Sequence, residues 1–189
     1  MNSNFKSIYM NIAVTGGAGF IGSHIVEKLV ERGDKVIVID NLHTGKKENL
    51  KKVWDKIEFL ELDIRNFDVL KIKLKNIDGI FHEAALASVQ DSFVNPKEYQ
   101  DVNVNGTENI FKLAKEFGFK VVYASSSSVY GNPIKIPIKE ESGKNPINPY
   151  AQTKLDGEVL AKKYSKEGVR IIGLRYFNVF GERQSKNYA

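Results

Sequence analysis

The chain contains no cysteine among its 189 residues. That absence excludes disulfide frameworks, thiolate zinc sites, iron–sulfur clusters and cysteine nucleophiles. It fits a reducing compartment and so a cytoplasmic location. No apolar run approaches the ~20 residues that a membrane-spanning helix needs, so no membrane association is expected. Residues 1–9 lack the apolar centre of a signal peptide. They read as a polar N-terminal extension, with Met10 a possible alternative start, ahead of a single domain over residues 10–189. The net charge is 28 − 23 = +5, but it is not gathered on one stripe. Lysines alternate with acids, as in Lys46-Lys47-Glu48 and Lys166-Glu167, which argues for a solvated surface and against a nucleic-acid partner. The three histidines, His24, His43 and His82, show no metal-ligand spacing, so no metal is expected. Packing or capping is the reading for His24 and His82.

What the sequence does have is alternation. Short β-branched runs are followed by amphipathic stretches, the pattern of an α/β protein with a parallel sheet. Strands are expected over 11–14, 35–39, 57–62, 79–82, 120–124 and 170–174. Helices are expected over 20–32, stopped by Gly33, over about 96–117, and over 150 to about 164. The long middle helix presents Ile110, Leu113, Ala114 and Phe117 on one face, and the last one carries Leu155, Val159 and Leu160 as its apolar residues. Gly131 to Pro149 holds four of the five prolines and reads as an irregular surface excursion.

Between the first strand and the first helix runs Thr15-Gly16-Gly17-Ala18-Gly19-Phe20-Ile21-Gly22. It satisfies G-x-G-x-x-G through Gly17, Gly19 and Gly22, and G-x-x-G-x-x-G through Gly16, Gly19 and Gly22. A tight turn, close approach of backbone to a pyrophosphate and close helix–strand packing all demand glycine there, and the helix N-terminus attracts the anion. Asp40 closes the second strand, where a carboxylate can accept both adenosine ribose hydroxyls and would repel a 2′-phosphate. The motif in this context predicts a Rossmann-type doubly wound parallel sheet with helices on both faces, binding NAD in preference to NADP. Asp63-Ile64, after the third strand, fall where an adenine edge could be read; Asp63 could equally cap the helix near Asn66.

Tyr150 and Lys154 are one helical turn apart, so both side chains lie on one face. A lysine ammonium beside a phenol lowers the phenol's pKa and makes tyrosine a general base for a substrate alcohol. A solvated helix face gives the same spacing, but here the pair lies downstream of a dinucleotide loop. The run Ser125–Ser128 ends the fifth strand, where ligands bind in such sheets, and a serine hydroxyl there can hold a substrate oxygen.

With these motifs in order, the sequence resembles the extended short-chain dehydrogenases/reductases, the NAD-dependent epimerase/dehydratase family, and within it the UDP-glucose and UDP-N-acetylglucosamine 4-epimerases. The resemblance runs from Met10 onward through TGGAGFIGSH, IDN, LDIR, HEAAL, NVNGT, ASSSSVYGN, PYAQTK and LRYFNVFGER. It implies that Gly16, Gly19, Phe20, Ile21, Gly22, Asp40, Asn41, Asp63 and Ile64 line the adenosine and pyrophosphate end of NAD. Ala84, Ala85 and Leu86 follow the dinucleotide past the fourth strand. Asn103 sits behind the nicotinamide side or acts as a helix-internal asparagine bonding backbone. Lys154 bonds the nicotinamide ribose, Phe177 touches the cofactor, and Asn178 reaches the substrate diphosphate. The catalytic trio implied is Tyr150, Lys154 and Ser126, Ser126 also contacting substrate.

The serine run separates reactions. The family's 4,6-dehydratases carry Thr-Asp-Glu where Ser126-Ser127-Ser128 stands, and its UDP-glucuronate decarboxylases carry glutamate where Ser128 stands. Epimerisation needs no such acid. The resemblance therefore implies inversion at C4 of a UDP-hexose through transient hydride transfer to bound NAD and a 4-keto sugar. The stretch Phe177–Gln184 leans toward N-acetylated UDP-hexoses. Family members continue past this C-terminus into a substrate lobe that the chain mostly lacks, so a dinucleotide-binding module or fragment without independent catalysis is the alternative. Another family enzyme, a decarboxylase or nucleotide-sugar reductase, is a third. Relatives pair through the two long helices, which implies a possible homodimer.

Overall fold

A computed structural model describes residues 9–185. Of the expected N-terminal extension only Tyr9 falls within it; residues 1–8, like 186–189, lie outside the described residues. The sheet has six parallel strands: β1 (Asn11–Thr15), β2 (Lys35–Asp40), β3 (Ile57–Glu61), β4 (Gly79–His82), β5 (Lys120–Ser126) and β6 (Ile171–Tyr176). Their spatial order is β3-β2-β1-β4-β5-β6. The chain builds outward from β1 to one edge, returns to β4 beside β1 and builds outward the other way. This reversal places a crevice between the carboxyl ends of β1 and β4.

Helices cover both faces, as expected. On one, α1 (Phe20–Arg32) lays Val26 and Leu29 on Val14, Val36 and Val38. On the other, α2 (Phe67–Lys73), α5 (Thr107–Phe117) and α6 (Pro149–Lys166) enclose Leu70, Ile110, Phe111, Leu113 and Tyr164 against Ile80, Val121 and Tyr123. Strands buried on both faces read as continuous apolar runs, as Val36-Ile37-Val38-Ile39 does. Beyond β5 the α1 side of the sheet is bare: Ile172 is 63% exposed and Leu174 40%.

Helix ends follow local chemistry. Gly33, at φ +96°, takes the left-handed conformation that stops α1, and Gly118, at φ +80°, does the same for α5. Asn148 caps α6 by accepting from the Ala151 N–H at 2.8 Å, with Pro149 at the first helical position. This cap fixes where α6 begins and hence where Tyr150 stands.

Two expectations need correction, and the last helix buries residues other than its apolar Leu155, Val159 and Leu160. The helix expected over 96–117 is continuous in course but changes pitch. It runs as α4 (Pro96–Gln100), a π-helical turn (Asp101–Gly106) and then α5, because Asn103 is drawn inward by partners described below. The last helix does not bury Val159, which is 62% exposed. It turns Ala151, Thr153, Lys154, Gly157 and Tyr164 inward instead, since Lys154 finds a carbonyl partner inside. The strands expected to stop at 124 and 174 each continue two residues further, to Ser126 and Tyr176, in mutual register. A further helix, α3 (Val89–Val94), precedes α4. Gly131 to Asn148 is irregular, as its prolines suggest.

Candidate active site

Every residue singled out from the sequence falls at the carboxyl edge of the sheet or directly behind it. The glycine loop leaves β1 and enters α1. Gly16 has φ +66°, and a Cβ there would lie 2.7 Å from the Ala84 nitrogen, so only glycine lets the loop abut the chain leaving β4. Gly19 precedes α1 in extended conformation, and no side chain caps the helix and no acid stands in its first turn. An uncapped helix N-terminus edged by glycines fits a phosphate. Phe20 and Ile21 begin α1 partly exposed, while Gly22 is buried against the Gly16 carbonyl.

Asp40, 7% exposed, accepts from the Ala18 N–H at 2.9 Å and the Leu42 N–H at 2.8 Å. Burial pushes its carboxyl above the usual range, and these two bonds hold it back. The carboxylate thus ties the glycine loop to the chain following β2, and each oxygen keeps a second lone pair for a ligand. Asp63 does not cap α2; that cap is Asn66, whose side chain accepts from Val69. Asp63 instead accepts from Arg65 and from the Asn41 amide at 3.0 Å, and chiefly the Arg65 bonds draw it down to about 2. Ile64 is buried against Gly106. Ala84, Ala85 and Leu86 follow β4, partly buried at the crevice. Asn103 stands behind them, 1% exposed, bonding the Leu86 N–H and carbonyl at 2.8 and 2.9 Å.

At the β5 end, Ser126 accepts from the Ser128 hydroxyl at 2.9 Å and its N–H at 3.1 Å, and its hydroxyl faces the Tyr150 phenol closely enough to favour the phenolate. Lys154 is 5% exposed; its ammonium donates to the Ala124 carbonyl at 2.8 Å and lies 6.0 Å from the Tyr150 ring centroid. Burial lowers Lys154 to about 8, opposed by the charge of Glu83. The expected lowering of the phenol is not what this structure holds. Burial pushes Tyr150 up, the nearby Ser126 hydroxyl only partly offsets it, and Lys154 is engaged with a carbonyl rather than with the phenol oxygen. Phe177 and Asn178 follow β6 and are exposed, the Phe177 ring 6.5 Å from that of Tyr130.

Other polar groups here were not visible from the motifs. Ser125 faces the opposite side of β5 from Ser126 and donates to Glu158 at 2.7 Å, while Arg175 binds the same carboxylate through two nitrogens at 2.7 and 2.9 Å. Ser125 therefore supports a partly buried ion pair, Glu158–Arg175. Glu83, raised by burial, accepts from the Tyr176 hydroxyl at 3.1 Å across the end of β5. Only the strand order brings these residues together. His82 is 1% exposed between two threonines, Thr15 at 2.7 Å from Nδ1 and Thr107 at 2.9 Å from Nε2. His24 bonds the Glu182 carbonyl and the Arg183 guanidinium. Among the described residues no three acidic or histidine side chains gather as a metal site would require, and no helix is long and apolar enough to cross a membrane.

Comparison with known proteins adds the following. The sequence profile described as the NAD dependent epimerase/dehydratase family matches residues 12–189. A putative UDP-glucose 4-epimerase of Methanocaldococcus jannaschii is 45% identical over 177 residues, covering 92% of this chain and 57% of that protein. UDP-glucuronic acid decarboxylase 1 of Arabidopsis thaliana is 42% identical over 181 residues, covering 92% of this chain and 41% of the relative. Among solved structures, UDP-N-acetylglucosamine 4-epimerase from Methanobrevibacter ruminantium M1, in complex with UDP-N-acetylmuramic acid, superposes with a TM-score of 0.91 at 41% identity. That alignment covers 95% of this chain and 58% of the other. The chain thus spans about half the length of the relatives it matches.

Proposed function

The chain belongs to the NAD dependent epimerase/dehydratase family, and from that premise we propose that it serves as a nucleotide-sugar epimerase, inverting C4 of a UDP-hexose with NAD as cofactor. The observation that carries the reading is the convergence of three side chains: Ser126 at the end of β5, Tyr150 in the first turn of α6, and the buried ammonium of Lys154 6.0 Å from the Tyr150 ring centroid. In this reading the uncapped N-terminus of α1 holds the pyrophosphate, Asp40 takes the adenosine ribose, and Asp63 and Ile64 border the adenine. Phe20, Ile21 and Asn41 complete that end, and Ala84, Ala85 and Leu86 carry the dinucleotide across the crevice toward Phe177. Lys154 donates to the nicotinamide ribose, and Asn178 reaches the substrate diphosphate.

Bound NAD supplies a reversible hydride acceptor at the sugar carbon. This chain's residues handle the proton. Tyr150 takes the proton of the C4 hydroxyl as C4 is oxidised, and Ser126 donates to the same oxygen to hold it in line. Tyr150 must enter this step as the phenolate, and the adjacent Lys154 ammonium favours that state. The 4-keto sugar presents its other face, and Tyr150 returns the proton to the oxygen when C4 is reduced again. No carboxylate adjoins Ser126 in sequence: Ser127 and Ser128 stand there, and Ser128 donates its hydroxyl to Ser126. Neither serine can act as the acid–base partner that eliminating water requires at neutral pH, which favours epimerisation over dehydration.

Calorimetry with NAD⁺ followed by turnover of UDP-glucose and UDP-N-acetylglucosamine tests the reading. NAD⁺ binding, interconversion of one sugar pair, and loss of that turnover with retained NAD⁺ binding in Tyr150→Phe are expected. Net product from UDP-glucuronate would assign a decarboxylase instead. NAD⁺ binding without turnover of any of these would leave a dinucleotide-binding module.

A further inference from the structure

The π-helical turn Asp101–Gly106 carries Asn103 into the interior, where all its polar groups are engaged. Its amide oxygen accepts from the Leu86 N–H at 2.8 Å. Its two amide hydrogens go to the Leu86 carbonyl at 2.9 Å and to the Thr153 hydroxyl oxygen at 3.0 Å. Thr153, 3% exposed, then donates to the Tyr150 carbonyl at 2.8 Å. One buried asparagine thus joins the chain leaving β4 to the first turn of α6, the turn that holds Tyr150. An α-helical course through 101–106 would rotate Asn103 away from this position, so the pitch change and the junction belong together.

The junction acts where packing is least able to. The sheet-facing side of α6 near Tyr150 is made of Ala151, Lys154 and Gly157. Ala151 and Gly157 bring the helix close to the sheet but offer little side chain to interlock with it, so its position along the axis falls to the Lys154–Ala124 bond and to the bonds at Thr153. Directional bonds at Thr153 set it sharply. None of the junction's groups titrates, so it holds over the whole pH range in which the fold exists.

We propose that Asn103 and Thr153 are positioning residues forming a latch, through which the segment Ala84–Leu86 sets the alignment of Tyr150 with Ser126. Occupancy of the dinucleotide crevice and placement of the phenol are then coupled through one side chain. The coupling rests on the proposed function in one respect, that NAD lies along Ala84–Leu86. Coupling of this kind is reciprocal: what displaces Tyr150 through the latch also weakens dinucleotide binding.

The test uses the full chain and does not depend on turnover. Tyrosine labelled with ¹³C at Cζ reports the Tyr150 phenol, its signal assigned by loss in Tyr150→Phe, and calorimetry gives the NAD⁺ affinity. Thr153→Val keeps the shape but removes the hydroxyl; it is expected to move the Tyr150 signal and its ionisation midpoint and to weaken NAD⁺ binding by roughly three- to tenfold, the worth of one hydrogen bond. Thr153→Ser keeps the hydroxyl and is expected to restore both. A Tyr150 signal and NAD⁺ affinity in Thr153→Val matching wild type would overturn the latch, and displacement of Tyr150 with unchanged NAD⁺ affinity would overturn the coupling. Equal displacement in Thr153→Ser and Thr153→Val would also overturn it, since the hydroxyl would then not matter. If Thr153→Val fails to fold, Asn103→Asp, which keeps the acceptor for Leu86 but loses both donors, is held to the same two measurements. A chain that passes them but turns over no UDP-sugar retains the latch and loses the epimerase reading.

Discussion

Lowering the pH should destabilise this protein through His82 before most of its carboxylates protonate. The ring is locked in one tautomer. Thr107 donates its hydroxyl hydrogen to the Asn103 carbonyl at 2.6 Å, so it can only accept from His82, and Nε2 must carry the hydrogen. Nδ1 then accepts from the Thr15 hydroxyl, whose oxygen is also approached by the Ala84 N–H at 3.3 Å. A second proton on His82 would have to sit on Nδ1, break the Thr15 bond and place a charge in the core near Lys154. Burial first, and the Lys154 charge second, hold the imidazole down at about 3, against an ordinary 6.5. Between those values the unfolded chain binds a proton that the folded one refuses. Stability therefore falls as pH drops below 6.5, by at most ~1.4 kcal/mol per pH unit for one group, or ~2.7 kcal/mol by pH 4.5. Against a total of about 5–15 kcal/mol that is a large fraction. Asp40 and Glu83, both raised by burial, oppose it in the lower part of the window. The difference in urea-unfolding free energy between wild type and His82→Gln isolates the imidazole and should narrow by about 2.3 kcal/mol from pH 6.5 to 4.5, since about 0.4 kcal/mol is already lost at 6.5. Imidazole ¹⁵N spectra should show the Nε2–H form throughout. A His82 titration centred above pH 5, or an Nδ1–H tautomer, would refute the reasoning.

Three further outcomes are expected. Asp40→Ala leaves the Ala18 and Leu42 amides without their acceptor and should cost about 1–3 kcal/mol in chemical denaturation, with weaker NAD⁺ binding in calorimetry. A Cβ at Gly157 would run into the Tyr123 hydroxyl, so Gly157→Ala should destabilise by roughly 1–3 kcal/mol, and adding Tyr123→Phe should recover part of the loss in thermal melts. Ser125→Ala should lower stability by about 1–2 kcal/mol yet retain turnover, because Ser125 serves the Glu158–Arg175 pair, whereas Ser126→Ala, which leaves the Ser128 N–H without its acceptor, should cost about 1 kcal/mol and lose turnover. Activity assays beside melting curves on both variants check this, and the reverse pattern would exchange the two assignments.

The sheet and its order of helices were legible because burial on both faces leaves continuous apolar runs and the covering helices keep a 3.6-residue period. The cofactor edge was legible for a related reason: the residues at strand ends follow directly from where the runs stop. The alternation of Ser125 and Ser126 is readable from strand geometry, but their partners Glu158 and Tyr150 come from a helix more than twenty residues away, which no local pattern supplies. Asp101–Gly106 carries no composition signal for a π-helical turn, since the pitch change is imposed by Leu86 and Thr153. The inward face of α6 was not legible from its apolar residues for a physical reason as well: a lysine whose ammonium meets a carbonyl buries where an apolar count would not place it, while Val159 stays exposed.

Arg183 lies in the left-handed region at φ +71° and reaches back to α1, binding Glu27 through two nitrogens and the Asn49 carbonyl through one. The last described stretch has neither helix nor strand after β6, yet it is bolted to the first third of the chain. For a protease this reverses the ranking that secondary structure alone suggests. Trypsin must draw an arginine out into its own cleft, and Arg183 is held by a carboxylate on one side and backbone on the other. Lys135 and Lys139, exposed in the proline-rich excursion, are free to enter. Nicking should thus begin within the proline-rich excursion and leave the C-terminal stretch attached, so that the two pieces stay together until denaturant separates them.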